Sequence, residues 1–413
     1  MTSPTQQAID AVWRIESTRL IAGLARVVGD VGLAEDLAQD ALVAALEQWP
    51  ESGVPQVPGA WLMAVARRRG VDTIRRALTL RNNVELLGRE LSDNHSPMEE
   101  IEIDPHVEDD VLRLMFTACH PVLSVEARVA LTLKMVAGLS TEQIARAFLV
   151  QRTTMAARIT RAKKTLTEAG VPFEVPVGEK LTERLNGVLE AVYLIFNEGY
   201  TATAGEQWAR AELCHEAMRL GRMLAALAPG DAQTHALVAL MQIQASRLGA
   251  RTGPDGEIVT LDRQDRARWD RLLITHGLAA LDRAEEIGGT SSLAIQAKIA
   301  ACHARATRAA DTDWVRIAAL YGDLLALTRS PIVELNRAVA VSMAHGPAAG
   351  LAVADALLDV AVLRTYHLLP SVRGDLLAKL GRCVEARAEF ERAAGLTSNQ
   401  AERTHLLARA SST

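Results

Sequence analysis

Residues 138–166, GLSTEQIARAFLVQRTTMAARITRAKKTL, most constrain the fold, because they predict two short helices about a tight turn. Ser140-Thr141-Glu142-Gln143 make a polar start. The Ser140 hydroxyl can accept a backbone N–H left unpaired at a helix N-terminus, and Glu142 and Gln143 lie near the positive end of the dipole. Ile144, Ala145 and Phe148 then form an apolar face. In the second helix Met155, Ile159 and Leu166 keep helical spacing, while Arg158, Arg161, Lys163 and Lys164 fill other faces. A basic second helix after a tight turn is the pattern of a helix-turn-helix that enters the DNA major groove. An ordinary amphipathic hairpin with solvated charges has the same pattern, so the rest of the chain must decide.

Charge along the chain is the next discriminator. The whole chain has 413 residues and a formal net charge of −5, which argues against a nucleic-acid binder, but the charge is segregated. Arg67, Arg68, Arg69, Arg75, Arg76 and Arg81 face only Asp72 between Trp61 and Arg81. Arg152, Arg158, Arg161, Lys163 and Lys164 face only Glu168 between Gln151 and Gly170. The intervening Glu85–Asp110 stretch is strongly acidic, with Arg89 its one basic residue. Two basic helices are thus joined by an acidic tether.

Aromatics are 4% of the chain and β-branched runs are scarce, so the fold class expected is all-α. Ala8–Val28 and Leu33–Trp49 read as helices, followed by a Pro/Gly loop at Pro50–Ala60. Trp61–Leu80 reads as a third helix or a pair broken around Gly70. A Pro-rich linker, Gly170–Lys180, precedes a long run of helical pairs. The last, Leu376–Leu396, has Gly381 for a close turn, Ala386 and Ala393 for helix approach, and Phe390 as filler. That spacing resembles a tetratricopeptide repeat. Ala250–Asp270, with its Pro-Asp-Gly turn, predicts a loop or small hairpin.

Cys119, Cys214, Cys302 and Cys383 lie far apart without CxxC spacing, which suits reduced thiols rather than disulfides or zinc. With no signal-peptide layout and no long apolar run, a cytoplasmic protein without a membrane partner is expected. His215-Glu216 lacks the second histidine of a zinc-protease motif, and neither a P-loop nor a nucleophile elbow is present. No enzyme activity, metal or cofactor is expected.

Leu33–Trp49 carries Asp36, Asp40, Val43 and Glu47 on one face, opposite Leu37, Leu42, Ala45, Leu46 and Trp49. With AEDLAQDAL (Ala34–Leu42), WLMAVARRRGVDTIRR (Trp61–Arg76), the acidic tether and the helix-turn-helix in this order, residues 8–168 resemble a sigma-70-superfamily initiation factor of the extracytoplasmic-function (ECF) group. The resemblance implies sigma region 2 over 8–80, an acidic linker over 81–106 and sigma region 4 over 107–168. It implies core RNA polymerase and promoter DNA as partners. Asp36, Gln39, Asp40 and Val43 would contact the polymerase clamp. Trp61, Arg67, Arg68, Arg75 and Arg76 would belong to the −10 reader, with Trp61 anchoring its loop, the Pro50–Ala60 loop holding a flipped base and the arginines following phosphates. Gln151, Arg152, Thr153 and Thr154 would read −35 base edges, with Arg158, Arg161 and Lys163 on phosphates. The linker would thread the polymerase RNA-exit path.

The chain departs from the family pattern at Leu149, where glycine is common in the turn, at Ala156 and Ala157 in the recognition helix, and at Arg68, where asparagine is common. These departures bear on promoter sequence. Residues 181–413 lie beyond the minimal factor and resemble the helical-repeat extension of some such factors, notably at NEGYTA (Asn197–Ala202) and LDRQDRARWD (Leu261–Asp270). The extension implies regulation in cis and a regulatory protein or ligand at the repeats. The alternative is a helix-turn-helix regulator with a helical-repeat sensor that works without polymerase, which leaves AEDLAQDAL and the arginine helix without a role.

Overall fold

The computed structural model describes residues 4–70, 107–148, 150–201, 207–253, 259–288, 290–397 and 400–413, and the described residues fold into helices in two compact units, 1–199 and 200–413. The acidic linker, Arg75, Arg76 and Leu149 lie outside the described residues.

The first unit is built on α1 (Pro4–Val28), which packs along α2 (Val31–Ser52) and against α4 (Val107–Ala118) and α5 (Val125–Met135). Ile9, Leu20, Ile21, Leu24 and Ala25 recur at helical spacing and are buried, so α1 supplies the core stripe. Gly29, at φ 71°, ends α1, and the Asp30 carboxylate caps α2 by accepting from Leu33 N–H at 2.8 Å.

Pro50–Ala60 is not a single loop. α2 carries on through Pro50 to Ser52 and closes with Gly53 N–H donating to the Trp49 carbonyl at 3.0 Å. The next helix, α3 (described over 58–70), opens with Pro58 at its first position, where a missing N–H costs nothing. The connection is therefore only 53–57. Gly70 is the last described residue of this helix, and the stretch after it, where the sequence offered a break, lies outside the described residues.

α6 (Thr141–Ala147) and α7 (Arg152–Glu168) form the helix-turn-helix and pack on each other and on α5. Ser140 Oγ accepts from Gln143 N–H at 3.1 Å while Ser140 N–H donates to Gln143 Oε1 at 2.8 Å, a reciprocal capping box. Met155, Ile159, Ala162 and Leu166 are buried, in line with the periodicity. After a stretch without helix, α8 (Glu179–Thr201) begins. Its Arg184 donates to the Phe116 carbonyl and its Glu190 pairs with Arg128 at 3.4 Å.

In the second unit α9 (Gln207–Leu227), α11 (Arg271–Ile287) and α12 (Ser292–Arg305) surround α10 (Ala232–Ala245). α10 is apolar nearly all round, with Ala236, Leu237, Val238, Ala239, Leu240, Met241 and Ile243 buried, so it must be covered on every side. Helices then follow in successively packed pairs: α13 (Trp314–Thr328), α14 (Pro331–His345), α15 (Pro347–Asp355), α16 (Leu368–Lys379), α17 (Cys383–Leu396) and α18 (Gln400–Ser412). Gly381, at φ 74°, turns α16 into α17, and Ala386, Phe390 and Ala393 are fully buried between them. The residue that permits the close approach is Gly374, where a Cβ would lie 2.8 Å from the enclosed Phe390 ring. Between α10 and α11 the described residues include two short 3-10 turns, Leu248–Ala250 and Arg266–Arg268, while the Pro-Asp-Gly turn expected at 254–256 lies outside the described residues. Val259 N–H donates to the Arg251 carbonyl at 2.9 Å, and Asp270 N–H to the Ser246 carbonyl at 2.9 Å. Among the described residues no helix is long and apolar enough to cross a membrane, and no cluster of metal-ligating side chains is found.

Candidate functional site

The outer face of α2 is the first candidate surface. Its buried stripe of Val31, Ala34, Leu37, Ala38, Ala41, Ala45 and Trp49 leaves Asp36, Gln39, Asp40 and Val43 exposed together, with the Asp36 side chain 72% exposed. Leu42 and Leu46, expected in the core, are only half-buried at the edge of this face. α3 supports it from one side: Arg69 Nη1 donates to the Asp40 carbonyl at 2.9 Å and lies 3.5 Å from its carboxylate. Arg69 thus turns back onto α2, while Arg67 and Arg68 point to solvent. Trp61 packs edge-to-face on the buried Trp49, with ring centroids 5.3 Å apart. That contact fixes the short 53–57 connection to the core.

The second surface is the start of α7. Gln151, Arg152, Thr153 and Thr154 are all exposed, with no side-chain cap bond committing Gln151 to its own helix. Ala156 and Ala157 are exposed beside them. Arg158 is half-buried and its charge helps keep the Glu126 carboxyl below its usual range, behind the stronger backbone and Ser124 hydrogen bonds. Arg161 is exposed, its Nε donating to the Ala157 carbonyl at 3.2 Å.

Lys163 lies elsewhere. Its side chain, 16% exposed, turns away from the exposed start of α7 and reaches α2, donating to Glu35 and, at 3.1 Å, to Asp36. Burial works against its ammonium, yet the Glu35 and Asp36 carboxylates outweigh this and hold its pKa above the ordinary lysine value. Glu35 is 3% exposed and also receives Lys134 of α5 at 3.4 Å and the Gln39 amide. Nearby, Thr167 donates to Asp30 at 2.6 Å, Thr18 to the Val136 carbonyl at 2.9 Å, and Arg26 pairs with buried Asp110 at 3.0 Å. Lys163, expected on phosphate, is here half of a clasp between the two candidate surfaces. Glu35 was missed because an acid beside Asp36 reads as one more solvated charge. Its place on the apolar stripe, four residues after Val31 and three before Ala38, is the signal that marks it as buried.

Residues 15–78 match the family described as Sigma-70 region 2, and residues 113–166 match Sigma-70, region 4. Residues 184–285 match a family of unknown function, DUF6596. An uncharacterized protein of Rhizobium meliloti (strain 1021), R00370, is 43% identical over 388 residues, covering 94% of this chain and 91% of that protein. The probable ECF RNA polymerase sigma factor SigI of Mycobacterium tuberculosis is 28% identical over 209 residues, covering 49% of this chain and 70% of that protein. No solved structure matches significantly.

Proposed function

Because the chain belongs to the sigma-70 family, as an ECF-type sigma factor with a helical C-terminal extension, we propose that its first unit docks on core RNA polymerase through α2 and directs it to promoters through α3 and α7. The observation that carries this is the exposure of Asp36, Gln39, Asp40 and Val43 as one face, in the same compact unit as the exposed helix-turn-helix residues Gln151–Thr154. In this reading Asp36, Gln39 and Asp40 make polar contacts to the clamp and Val43 a small apolar one. Gln151, Arg152, Thr153 and Thr154 face −35 bases, where side chains at the start of a recognition helix reach base edges. Arg158 and Arg161 hold phosphates, as do Arg67, Arg68, Arg75 and Arg76 at the −10 element, where Trp61 sets the loop.

The clasp gives this reading a mechanical consequence. Lys163 cannot hold Glu35 and a phosphate at once, and Asp36 is both a clamp residue and a Lys163 partner. Polymerase binding at α2 therefore competes with the clasp, and its release frees α7 to reach the −35 element. The second unit modulates this step in cis.

Pull-down of core RNA polymerase by the full-length protein tests the docking face. Wild type is expected to retain polymerase, and Asp36→Ala/Asp40→Ala to lose at least about tenfold in affinity, on the order of 1.4 kcal/mol. No retention by wild type would reject the reading and favour a regulator that acts without polymerase. For the DNA side, holoenzyme binding to a promoter should weaken with salt on a log–log line, each phosphate contact contributing a slope of about −0.9. Arg67→Ala/Arg68→Ala should flatten that slope by up to about 2. An unchanged slope would remove both residues from the phosphate track.

A further inference from the structure

Neither NEGYTA nor LDRQDRARWD has a role in transcription initiation as read above, yet the second unit brings Tyr200 of one and Arg266 and Trp269 of the other around Arg247. All four lie in the span that matches a family of unknown function. Arg247 follows the C-terminal end of α10. Its guanidinium carbon lies 5.8 Å from the centroids of both the Tyr200 and Trp269 rings, and its Nη2 donates to the Tyr200 hydroxyl at 2.7 Å. Arg251 stacks on Tyr200 at 3.9 Å and donates to its carbonyl. Arg266, 5% exposed, lies 5.0 Å over Trp269.

The three arginines are not equally satisfied. Arg266 donates to the His303 and Ala306 carbonyls at 2.8 and 2.7 Å and to Thr312 Oγ1 at 2.9 Å. The carbonyl end of α12, where a helix dipole is negative, thus answers much of its charge. Arg247 and Arg251 form no ion pair among the described residues. Asp311, the acid that acts on Arg266, is itself held by both arms of Arg308 at 2.8 Å. Arg247 Nε, Arg266 Nε, Trp269 Nε1 and His303 Nδ1 are enclosed without a hydrogen-bond partner among the described residues. Burial, then the Arg247 and Arg266 charges, push the His303 pKa down to about 4, so this 8%-exposed imidazole is neutral and adds no counter-charge. Stacking on aromatic faces steadies a guanidinium and presents its N–H fork at a fixed angle, but it is a weak substitute for an anion.

We propose that Arg247 and Arg251, walled by Tyr200 and Trp269, form a binding site for a small anionic ligand that carries a carboxylate or phosphate group. Two planar forks without an acid partner match such a group, which takes paired N–H···O bonds. The ligand is small because the cluster is enclosed by Trp269, 3% exposed, and by His303. The site rests on geometry within the second unit and stands or falls independently of the transcription reading.

Calorimetric unfolding of the full-length protein tests it, with sodium phosphate for the phosphate arm and sodium malonate for the carboxylate arm, each against sodium chloride at equal ionic strength. A ligand that binds only the folded state raises the transition in a saturable way. The expected result is such a rise in the second unit's transition with at least one probe, lost in Arg247→Gln and shifted to about tenfold higher concentration in Arg251→Gln. Arg247→Gln removes one hydrogen bond and the stacking on two rings together with a charge that has no acid partner, so the anion response of each variant is read as the rise above its own anion-free transition. Absence of any rise with both probes would overturn the proposal. So would an equal rise in wild type and Arg247→Gln, which marks general salting rather than a site. If Arg247→Gln fails to fold, a full wild-type response in Arg251→Gln would overturn it by itself.

Discussion

Glu35→Ala is expected to destabilise the first unit by about 3 kcal/mol, because breaking a buried ion pair leaves its partners uncompensated. The substitution strips Lys134 of its carboxylate and Gln39 of its acceptor, while Lys163 keeps only the exposed Asp36. That surviving contact places the loss at the lower end of the usual range. In a unit of this size about 3 kcal/mol lowers the thermal midpoint by roughly 6–12 °C. Lys163→Met should cost less, since Glu35 retains Lys134 and the Gln39 amide, and the double variant should be less destabilised than the sum of the two. Additivity would show that Glu35 and Lys163 do not interact in solution. The clasp also has a pH signature. A lysine whose folded pKa is raised stabilises fully below its unfolded value of 10.5 and loses that contribution as pH rises through the folded value. Wild type should therefore lose stability in strong alkali more steeply than Lys163→Met.

Trp49→Ala is the second large effect, about 3–5 kcal/mol, as for other fully buried aromatic truncations. The ring is 1% exposed and its indole N–H has no acceptor among the described residues, so the loss is one of packing rather than hydrogen bonding. Its consequence reaches the candidate −10 reader. Trp61 would lose the wall on which it stands, and with it the fixed geometry of 53–57 and the start of α3. At a temperature where the variant remains folded, promoter opening in a reconstituted assay should fall more than polymerase binding, because the α2 outer face does not touch the ring. Trp49→Phe, which keeps an apolar ring, should recover most of the stability. Equal losses in opening and polymerase binding would show that Trp49 serves the whole unit and has no special link to α3.

Helical periodicity, caps and breakers were legible because they depend on residues three or four apart. The Ser140 cap, the buried Met155–Ile159–Leu166 stripe and the Gly381 turn were all readable at that range, while the return bond to the Gln143 side chain was not read. The exposed face of Asp36, Asp40, Val43 and Glu47 followed from the same periodicity, whereas Gln39 came only from the family resemblance. Pro50 misled, since proline and glycine together read as a loop, whereas tertiary packing of Trp49 holds the last turn of α2 around it.

Sequence by itself determined an all-α fold class, its sigma-family order of motifs and the outward position of Asp36, Asp40 and Val43 on α2, but not the inward turn of Glu35 and Lys163. Only the tertiary structure decided who meets whom across long separations. Lys163 reaches Glu35 from 128 positions away, and Arg247 meets Tyr200 from 47 away. Such pairings carry no local signal, because an isolated charge reads as solvated until folding removes its water. Burial then forces it to find a partner in the chain, as Lys163 did, or, as we propose for Arg247, from a ligand.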